Sequence, residues 1–510
     1  FEIMDTTLRD GEQTEGVSMI AEEKLAIARA LLENLKVDRI EIASARVSAG
    51  ELETVRMICE WARSVDMHDR VEILGFTDFR ESVDWALSAG CGVINLLTKG
   101  SRKHCETQLK KTLQQHLADI RRTVDYGTSR GLRFNIYLED WSGGMVYSPD
   151  YVWEMLPQLV EMPFDRIMLP DTLGILEPSQ VYDFISQIVQ RFPDVHFDFH
   201  GHNDYGLATA NCLAALRAGV RGLHTTINGL GERTGNSSLD EVVVAAHDFT
   251  EFRCNVVEKN LYEVSHLTEI FTGKRIAWNK PISGEGVFTQ TAGIHADGDK
   301  KGNLYESRLT PQRFRRQRSY AMGKLMGKAS LDFNLEKLGI VLSNEQKAEL
   351  LKRIVALADQ KKVITTEDLP FIISDMLQSP EWRFFELRDY MICSCYGLQP
   401  VATILVRFNG QDHQVTASGD GGFDAFMKAI RTLEKSLGFR IPALVDYNVR
   451  IPPGGKSDAL VETTIHWEGG IKTRGLNSDQ MAAAVDAVVH MLNVVAARAH
   501  QETSRRNMSA

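Results

Sequence analysis

Along its first 230 residues the chain alternates short runs rich in Ile, Val and Leu with stretches whose apolar residues recur at helical spacing. The runs 2–8, 39–44, 71–76, 93–98, 134–139, 166–170, 196–202 and 222–228 read as strands, and 21–34, 113–128 and 206–218 read as helices between them. Eight strands in βα alternation over about 250 residues predict an α/β fold, a (β/α)8 TIM barrel. A doubly wound open sheet is the fallback, but no Gly-rich dinucleotide fingerprint follows the first strand. After residue 265 the rhythm changes, and 266–385 reads as mostly helical linker subdomains broken by loops. Residues 386–510 carry an internal repeat. Runs 386–394, 401–408 and 413–417 lead into a helix at 422–437; runs 444–451, 459–467 and 470–475 lead into another at 478–497. Two βββα units predict a compact C-terminal α+β domain, which lacks a concentration of catalytic side chains and so suits ligand sensing or dimerisation.

Composition narrows the function classes. At 43% hydrophobic and 25% charged, the chain of 510 residues is ordinary globular material for two to four domains. A formal net charge of -10 argues against nucleic-acid binding as the main business. The one basic run, Arg313-Phe314-Arg315-Arg316-Gln317-Arg318, reads as a solvated or interface patch, with an anionic ligand the lesser reading. Seven scattered cysteines without a Cys-x-x-Cys pair indicate cytoplasmic usage. Cys393 and Cys395 share a strand face, where packing is expected. No apolar run has the length of a membrane span. Gly323-Lys324-Leu325-Met326-Gly327-Lys328 fails the phosphate-loop spacing. The chain opens on Phe1, without an initiator Met, so a short leader is expected before it.

The candidate chemistry gathers at predicted strand ends. His200 and His202 sit two apart on a strand, hence on one face about 6.6–6.8 Å apart, and can lean toward one divalent ion. Asp10, at the end of the first strand, and Asn236, in Gly231-Glu232-Arg233-Thr234-Gly235-Asn236, add oxygen ligands. Such an ion chelates a 2-oxo acid through its keto and carboxylate oxygens. Arg9 is placed to stabilise an oxygen that becomes negative, Glu139 to act as a general base, and Thr172 to bind a carboxylate. The implied chemistry is formation or cleavage of a C–C bond beside a polarised carbonyl. Asp10, Leu74, Leu97, Glu139, Thr172 and His202 all fall at or near carboxyl ends of predicted strands, where barrel active sites are built.

Asp5-Thr6-Thr7-Leu8-Arg9-Asp10-Gly11-Glu12-Gln13, the run His200-Gly201-His202-Asn203, and Asn228-Gly229-Leu230-Gly231-Glu232-Arg233-Thr234-Gly235-Asn236 resemble the signatures of the isopropylmalate and homocitrate synthase family. The resemblance spans nearly the whole chain and includes the βββα repeat. Residues 39–48, 137–142 and 288–299 are most like the citramalate-forming branch, whose oxo acid is pyruvate. The resemblance implies condensation of acetyl-CoA with a 2-oxo acid, dependent on a divalent metal (Mn2+, Mg2+ or Zn2+). Asp10, His200, His202 and Asn236 match its metal ligands, Arg9 and Thr172 its substrate contacts, and Glu139 its base. His295, Asn303 and Tyr305 match residues that a partner subunit supplies to the acetyl-CoA side, with His295 also implied in the chemistry; a homodimer follows. Leu74, Leu97 and Tyr137 match pocket walls that leave room for only a methyl group, although the residues alone read as core. Phe423, Asp424, Leu444 and Tyr447 fall in the family's effector region, implying feedback by isoleucine, or by leucine for an isopropylmalate-forming enzyme. Phe423 stands where the citramalate branch is expected to carry tyrosine. Two other readings remain: a retro-aldol lyase or decarboxylase, which the C-terminal repeat argues against, and an amino-acid sensor without activity.

Overall fold

The computed structural model describes residues 1–338, 340–359, 385–408, 410–450 and 461–508, together with Leu369, Ile372, Ile373 and Met376. The strand positions Ile451, Ala459 and Leu460 and most of 360–384 of the expected linker region lie outside the described residues.

The eight apolar runs form eight parallel strands: β1 (Glu2–Asp5), β2 (Arg39–Ser44), β3 (Val71–Phe76), β4 (Val93–Lys99), β5 (Arg133–Glu139), β6 (Phe164–Asp171), β7 (Phe197–Gly201) and β8 (Gly222–Thr225). They close into a barrel in chain order, β8 returning to β1 with Glu2 opposite Gly222 and Asp5 opposite Thr225. Because side chains alternate along a strand, each strand feeds two regions. Ile3, Ile40, Ile42, Ile73, Ile94, Leu96, Ile136, Leu138, Phe197 and Phe199 join the large core beneath the surrounding helices. The intervening positions face one another across the interior, where Met4, Leu74, Tyr137 and Met168 make a small separate apolar cluster.

The helices are placed by local signals. Ser48 caps Ala49–Ser64 by accepting from the Glu51 amide, and Thr112 with Gln115 forms a capping box at Leu113–Thr128. One helix changes its winding, and two strands end well before the pattern predicts, the first of them β1, expected to run to 8 and stopping at Asp5. The helix at 21–34 becomes a π-helical turn at Ala30–Leu35 and stops at Lys36, which is left-handed with φ 61°. The strand expected to run to 228 stops at Thr225; Asn228, with φ 59°, turns the chain into the Gly-rich loop that follows.

Two compact units emerge: 1–288 with 307–318, and 289–306 with 319–510. The barrel unit thus continues past the expected boundary at 265. The basic run belongs to it and is paired: Arg313 grips Asp248 through two bonds of 2.9 Å and also Glu258, while Arg316 Nη1 donates to the Gly284 carbonyl at 2.6 Å. That run fastens the returning segment to the barrel. In the second unit, β9 (Thr289–Gln290) pairs with β10 (Ser319–Tyr320) near helices Gly293–Lys300, Lys328–Leu338 and Asn344–Asp359.

The repeat builds two antiparallel sheets. One contains β11 (Phe385–Cys393), β12 (Val401–Phe408) and β13 (Gln411–Ser418); the other contains β14 (Leu444–Arg450), β15 (Val461–Trp467) and β16 (Ile471–Asn477). Helices Gly422–Arg431 and Gln480–Met508 complete the two halves. Ile404, Phe426, Ile465, Trp467 and Met491 share one core, so both halves fold around a common interior. The packing role expected for Cys393 and Cys395 is not met: both are exposed where β11 ends. Among the described residues no helix is long and apolar enough to cross a membrane.

Glu258 offers a check on the Arg313 clamp. Burial pushes its carboxyl up, but Arg313 and His247 outweigh this and hold it at about 2, below its ordinary 4.5. A depressed carboxylate contributes stability above its unfolded value and loses it on acidification. The melting-temperature gap between wild type and Glu258→Gln is therefore expected to be full above pH 4.5 and to close as pH falls toward 2; a gap independent of pH would remove the ion pair as its cause.

Candidate active site

The carboxyl ends of the strands surround a cavity of about 240 Å³ lined by Arg9, Asp10, Gln13, Leu74, Leu97, Tyr137, Glu139, Pro170, Thr172, His200, His202, Glu232 and Arg233. Of the positions singled out in the sequence, nine are brought together here: Arg9, Asp10, Leu74, Leu97, Tyr137, Glu139, Thr172, His200 and His202.

Asp10 follows β1 on a tight turn in which its amide donates to the Thr6 carbonyl at 2.9 Å. His200 lies on β7 and His202 just beyond it. A bridge between His202 and Asn236, and a 2.9 Å bond from the Asn203 amide to the Gly235 carbonyl, tie the Gly-rich loop to that strand end. Glycine is required in this loop. A Cβ on Gly235 (φ 83°) would stand 1.8 Å from the Gly229 oxygen, and one on Gly231 (φ 148°) 2.2 Å from the Asn236 amide nitrogen.

Ligand atoms of Asp10, His200 and His202 lie within 4.8 Å of one another. The Nε2 atoms of His200 and His202 are 3.3 Å apart, and His200 Nε2 is 3.5 Å from Asp10 Oδ2. The Asn236 amide nitrogen donates to the Leu230 carbonyl at 2.9 Å, which leaves its oxygen as the free end. Asp10 Oδ1 and Asn236 Oδ1 are buried and have no hydrogen-bond partner among the described residues. Buried polar atoms are rarely left so, and two acceptor oxygens beside two imidazoles are the donor set of a divalent cation. Electrostatics agrees. Burial pushes the Asp10 carboxyl up, but Arg9, His200 and His202 outweigh it and hold it at about 2. Burial pushes His200 well down and His202 down, favouring the unprotonated rings that metal ligation needs. The residues fit the group.

Around this set the side chains are themselves held. Arg9 donates from Nε to Glu41 at 2.5 Å and from Nη1 to Asp10 at 2.9 Å, and Nη2 lies 3.4 Å from the Tyr137 oxygen. Thr172 accepts the Asp140 amide at 2.9 Å, which leaves its hydroxyl proton for another partner. Arg233 clasps Asp204 at 2.8 and 2.9 Å and donates to the Thr172 carbonyl at 2.9 Å, locking the two loops together. Lys99, nearly buried, forms an ion pair with Glu139.

Three partners, Glu41, Lys99 and His224, whose Nδ1 lies 3.0 Å from the Tyr137 oxygen, escaped the sequence reading. Their signal was present: each is a titratable residue within a buried strand, and in a barrel an inward polar side chain must meet another. The remaining positions lie in the second unit. His295 and Tyr305 meet there with ring centroids 4.2 Å apart and planes tilted by 39°, and Asn303, exposed, turns between them with φ 54°. Phe423 and Tyr447, from the two halves of the repeat, meet with centroids 5.0 Å apart, while Asp424 pairs with Lys428 at 2.7 Å and Leu444 is partly exposed.

Comparison with known proteins gives three successive matches. Residues 1–268 match the HMGL-like family, 282–362 the homocitrate synthase post-HMGL domain-like family, and 363–496 the LeuA allosteric (dimerisation) domain. The first takes in more than half of the chain, which belongs to the HMGL-like family, a family of enzymes. Full-length relatives carry two kinds of name. The (R)-citramalate synthase of Methanocaldococcus jannaschii is 31% identical over 97% of this chain and 99% of its own length. A relative from Methanothermobacter thermautotrophicus with a provisional (R)-citramalate synthase name is 35% identical over 98% and 99%. The 2-isopropylmalate synthase of M. jannaschii is 33% identical over 97% and 95%.

Mn2+ titration followed by calorimetry tests the donor set. The full chain is expected to bind one ion, and His202→Ala to weaken binding by more than the roughly 10–100-fold typical of losing an outer partner. Equal binding by both proteins would exclude His202 as a ligand.

Proposed function

We propose that this enzyme condenses acetyl-CoA with pyruvate, releasing (R)-citramalate and CoA, as the first step of a pyruvate route to isoleucine. The observation that carries this reading is the cavity wall. Leu74, Leu97 and Tyr137 border a space of about 240 Å³ beside the donor set, and Met4 and Met168 pack behind them. An isopropyl group there would overpack the wall at a cost of typically ~1–3 kcal/mol, roughly ten- to two-hundredfold in discrimination. Overall identity does not separate the two kinds of relative, at 31–35% for one and 33–34% for the other, and the wall is what favours pyruvate.

Asp10, His200, His202 and Asn236 would hold a divalent cation, Mn2+, Mg2+ or Zn2+, since mixed oxygen and nitrogen sites accept several. When bound, that cation supplies Lewis-acid polarisation of the keto group. The Thr172 hydroxyl donates to the oxo acid's carboxylate. Glu139 takes a proton from the acetyl methyl group, and Lys99 steadies its carboxylate beside the cavity. Arg9, oriented by Glu41, faces the keto oxygen as it gains negative charge. Water then cleaves the thioester, which makes the step irreversible.

On this reading the protein works in the cytoplasm as a homodimer in which His295, Asn303 and Tyr305 serve the acetyl-CoA side across subunits, and His295 assists the proton transfer. The LeuA-type match and the meeting of Phe423 with Tyr447 support feedback through the C-terminal domain by a branched-chain amino acid, isoleucine first. The second reading, 2-isopropylmalate synthesis from 2-oxoisovalerate with leucine feedback, is favoured by the relatives of that name.

Thiol release from acetyl-CoA, measured with each oxo acid, decides between them. Pyruvate should be preferred, and replacing Leu74 and Leu97 with alanine should shift the ratio toward 2-oxoisovalerate by roughly tenfold or more; an unmoved ratio would refute the wall assignment. Glu139→Gln should lower turnover by about 10²–10⁴-fold while pyruvate still binds. Unaltered turnover would remove Glu139 from the base role.

A further inference from the structure

Beneath the cavity a chain of buried polar side chains crosses the barrel. Tyr137 on β5 lies 3.0 Å, hydroxyl oxygen to Nδ1, from His224 on β8. His224 Nε2 lies 3.1 Å from Asp198 Oδ2 on β7. Asp198 takes Arg39 Nη2 at 2.6 Å, and Arg39 Nη1 reaches both Glu72 oxygens at 3.0 and 3.2 Å. All five are buried.

The direction of each bond follows from what the groups can do. Asp198 Oδ2 already takes the Arg39 guanidinium at 2.6 Å, and a carboxylate paired with arginine only accepts. His224 therefore donates from Nε2 to Asp198. Of the two polar groups beside the Tyr137 hydroxyl, Arg9 has only donors. The phenol proton must then go to His224 Nδ1, and the phenol oxygen turns its lone pairs toward Arg9. The imidazole also packs edge-on against the Tyr137 ring, with centroids 5.4 Å apart at 83°, and against His200 at 5.6 Å and 72°.

We propose that His224 is a positioning residue that sets which oxo acid is accepted. Anchored through Asp198 and Arg39, it pins the Tyr137 ring as a fixed wall of the cavity and aims its oxygen at Arg9. The proposal rests on the condensation reading only in taking the ligand to be a 2-oxo acid. Leu74 and Leu97 limit the cavity by their volume alone; Tyr137 limits it only while something holds the ring.

The test uses the full-length protein loaded with Mn2+ and compares Tyr137→Phe, His224→Leu, His224→Asn and the double variant Tyr137→Phe/His224→Leu. Calorimetric affinities and steady-state constants are measured for pyruvate, 2-oxobutyrate and 2-oxoisovalerate. His224→Leu is expected to lower the preference for pyruvate by roughly tenfold, through pyruvate's KM far more than through kcat. Tyr137→Phe, which keeps the ring and loses the bond, should shift it the same way, and the double variant should go no further, as groups acting through one bond are non-additive. Asparagine, which offers an oxygen near the position of Nδ1, should restore much of the preference. Additive shifts, or an unmoved preference in Tyr137→Phe, overturn the proposal even if His224→Leu fails to fold. Oxo-acid binding without turnover would overturn the condensation reading alone, because the affinities still report the preference.

Discussion

A closed barrel sends every second side chain of its strands into an interior shut off from bulk water, and any polar group there must find a partner or lose several kcal/mol. This chain places an unusual number of polar groups inside: Arg39, Glu41, Glu72, Asn95, Asn135, Asp198, His200 and His224 are all buried. Most are satisfied by residues from other strands. Asn135 donates to Asn95, which donates to Glu41 at 2.8 Å, and Glu41 also receives Thr6 at 2.8 Å. At the mouth, Asp10 and Asn236 keep bare oxygens side by side with two imidazoles. Two open acceptors next to two imidazoles, all from different strand ends or loops, are what set this end of the barrel apart.

The interior thus divides by height and chemistry. A charged layer around Arg39 fixes the floor. Above it, a patch of Met4, Leu74, Tyr137 and Met168 supplies volume without polarity. At the rim, Arg9, Thr172 and Glu139 are each held by a neighbour that orients them: Glu41, the Asp140 amide and Lys99. Preorganised groups of this kind need no rearrangement when charge develops on a substrate. The loop that carries Asn236 is bound to the strand ends by backbone bonds and by Arg233, so precision at the mouth does not depend on one element.

The C-terminal domain follows a different logic. Neither three-stranded sheet can bury its face alone, and a shared core of residues from both halves solves the problem. Phe423 and Tyr447 meet because the two halves fold around a common core, which brings two distant segments into contact.

Strand number, their parallel alternation with helices and the βββα repeat were legible along the chain because apolar periodicity is a local property. So was the His200–His202 pair, since two residues apart on a strand share a face wherever that strand ends up. Strand ends were less legible: β8 stops at Thr225 and Asn228 adopts left-handed backbone that apolar patterning does not encode. The partnerships within the site were not legible at all. Lys99 and Glu139 are 40 residues apart and Tyr137 and His224 are 87 apart, and only the stagger of strands in the closed barrel sets them opposite one another. The same holds for Leu74 and Leu97. Their sequence marks them as buried, but burial in a core and burial at a cavity wall look alike until the barrel closes and shows which apolar side chains border empty space.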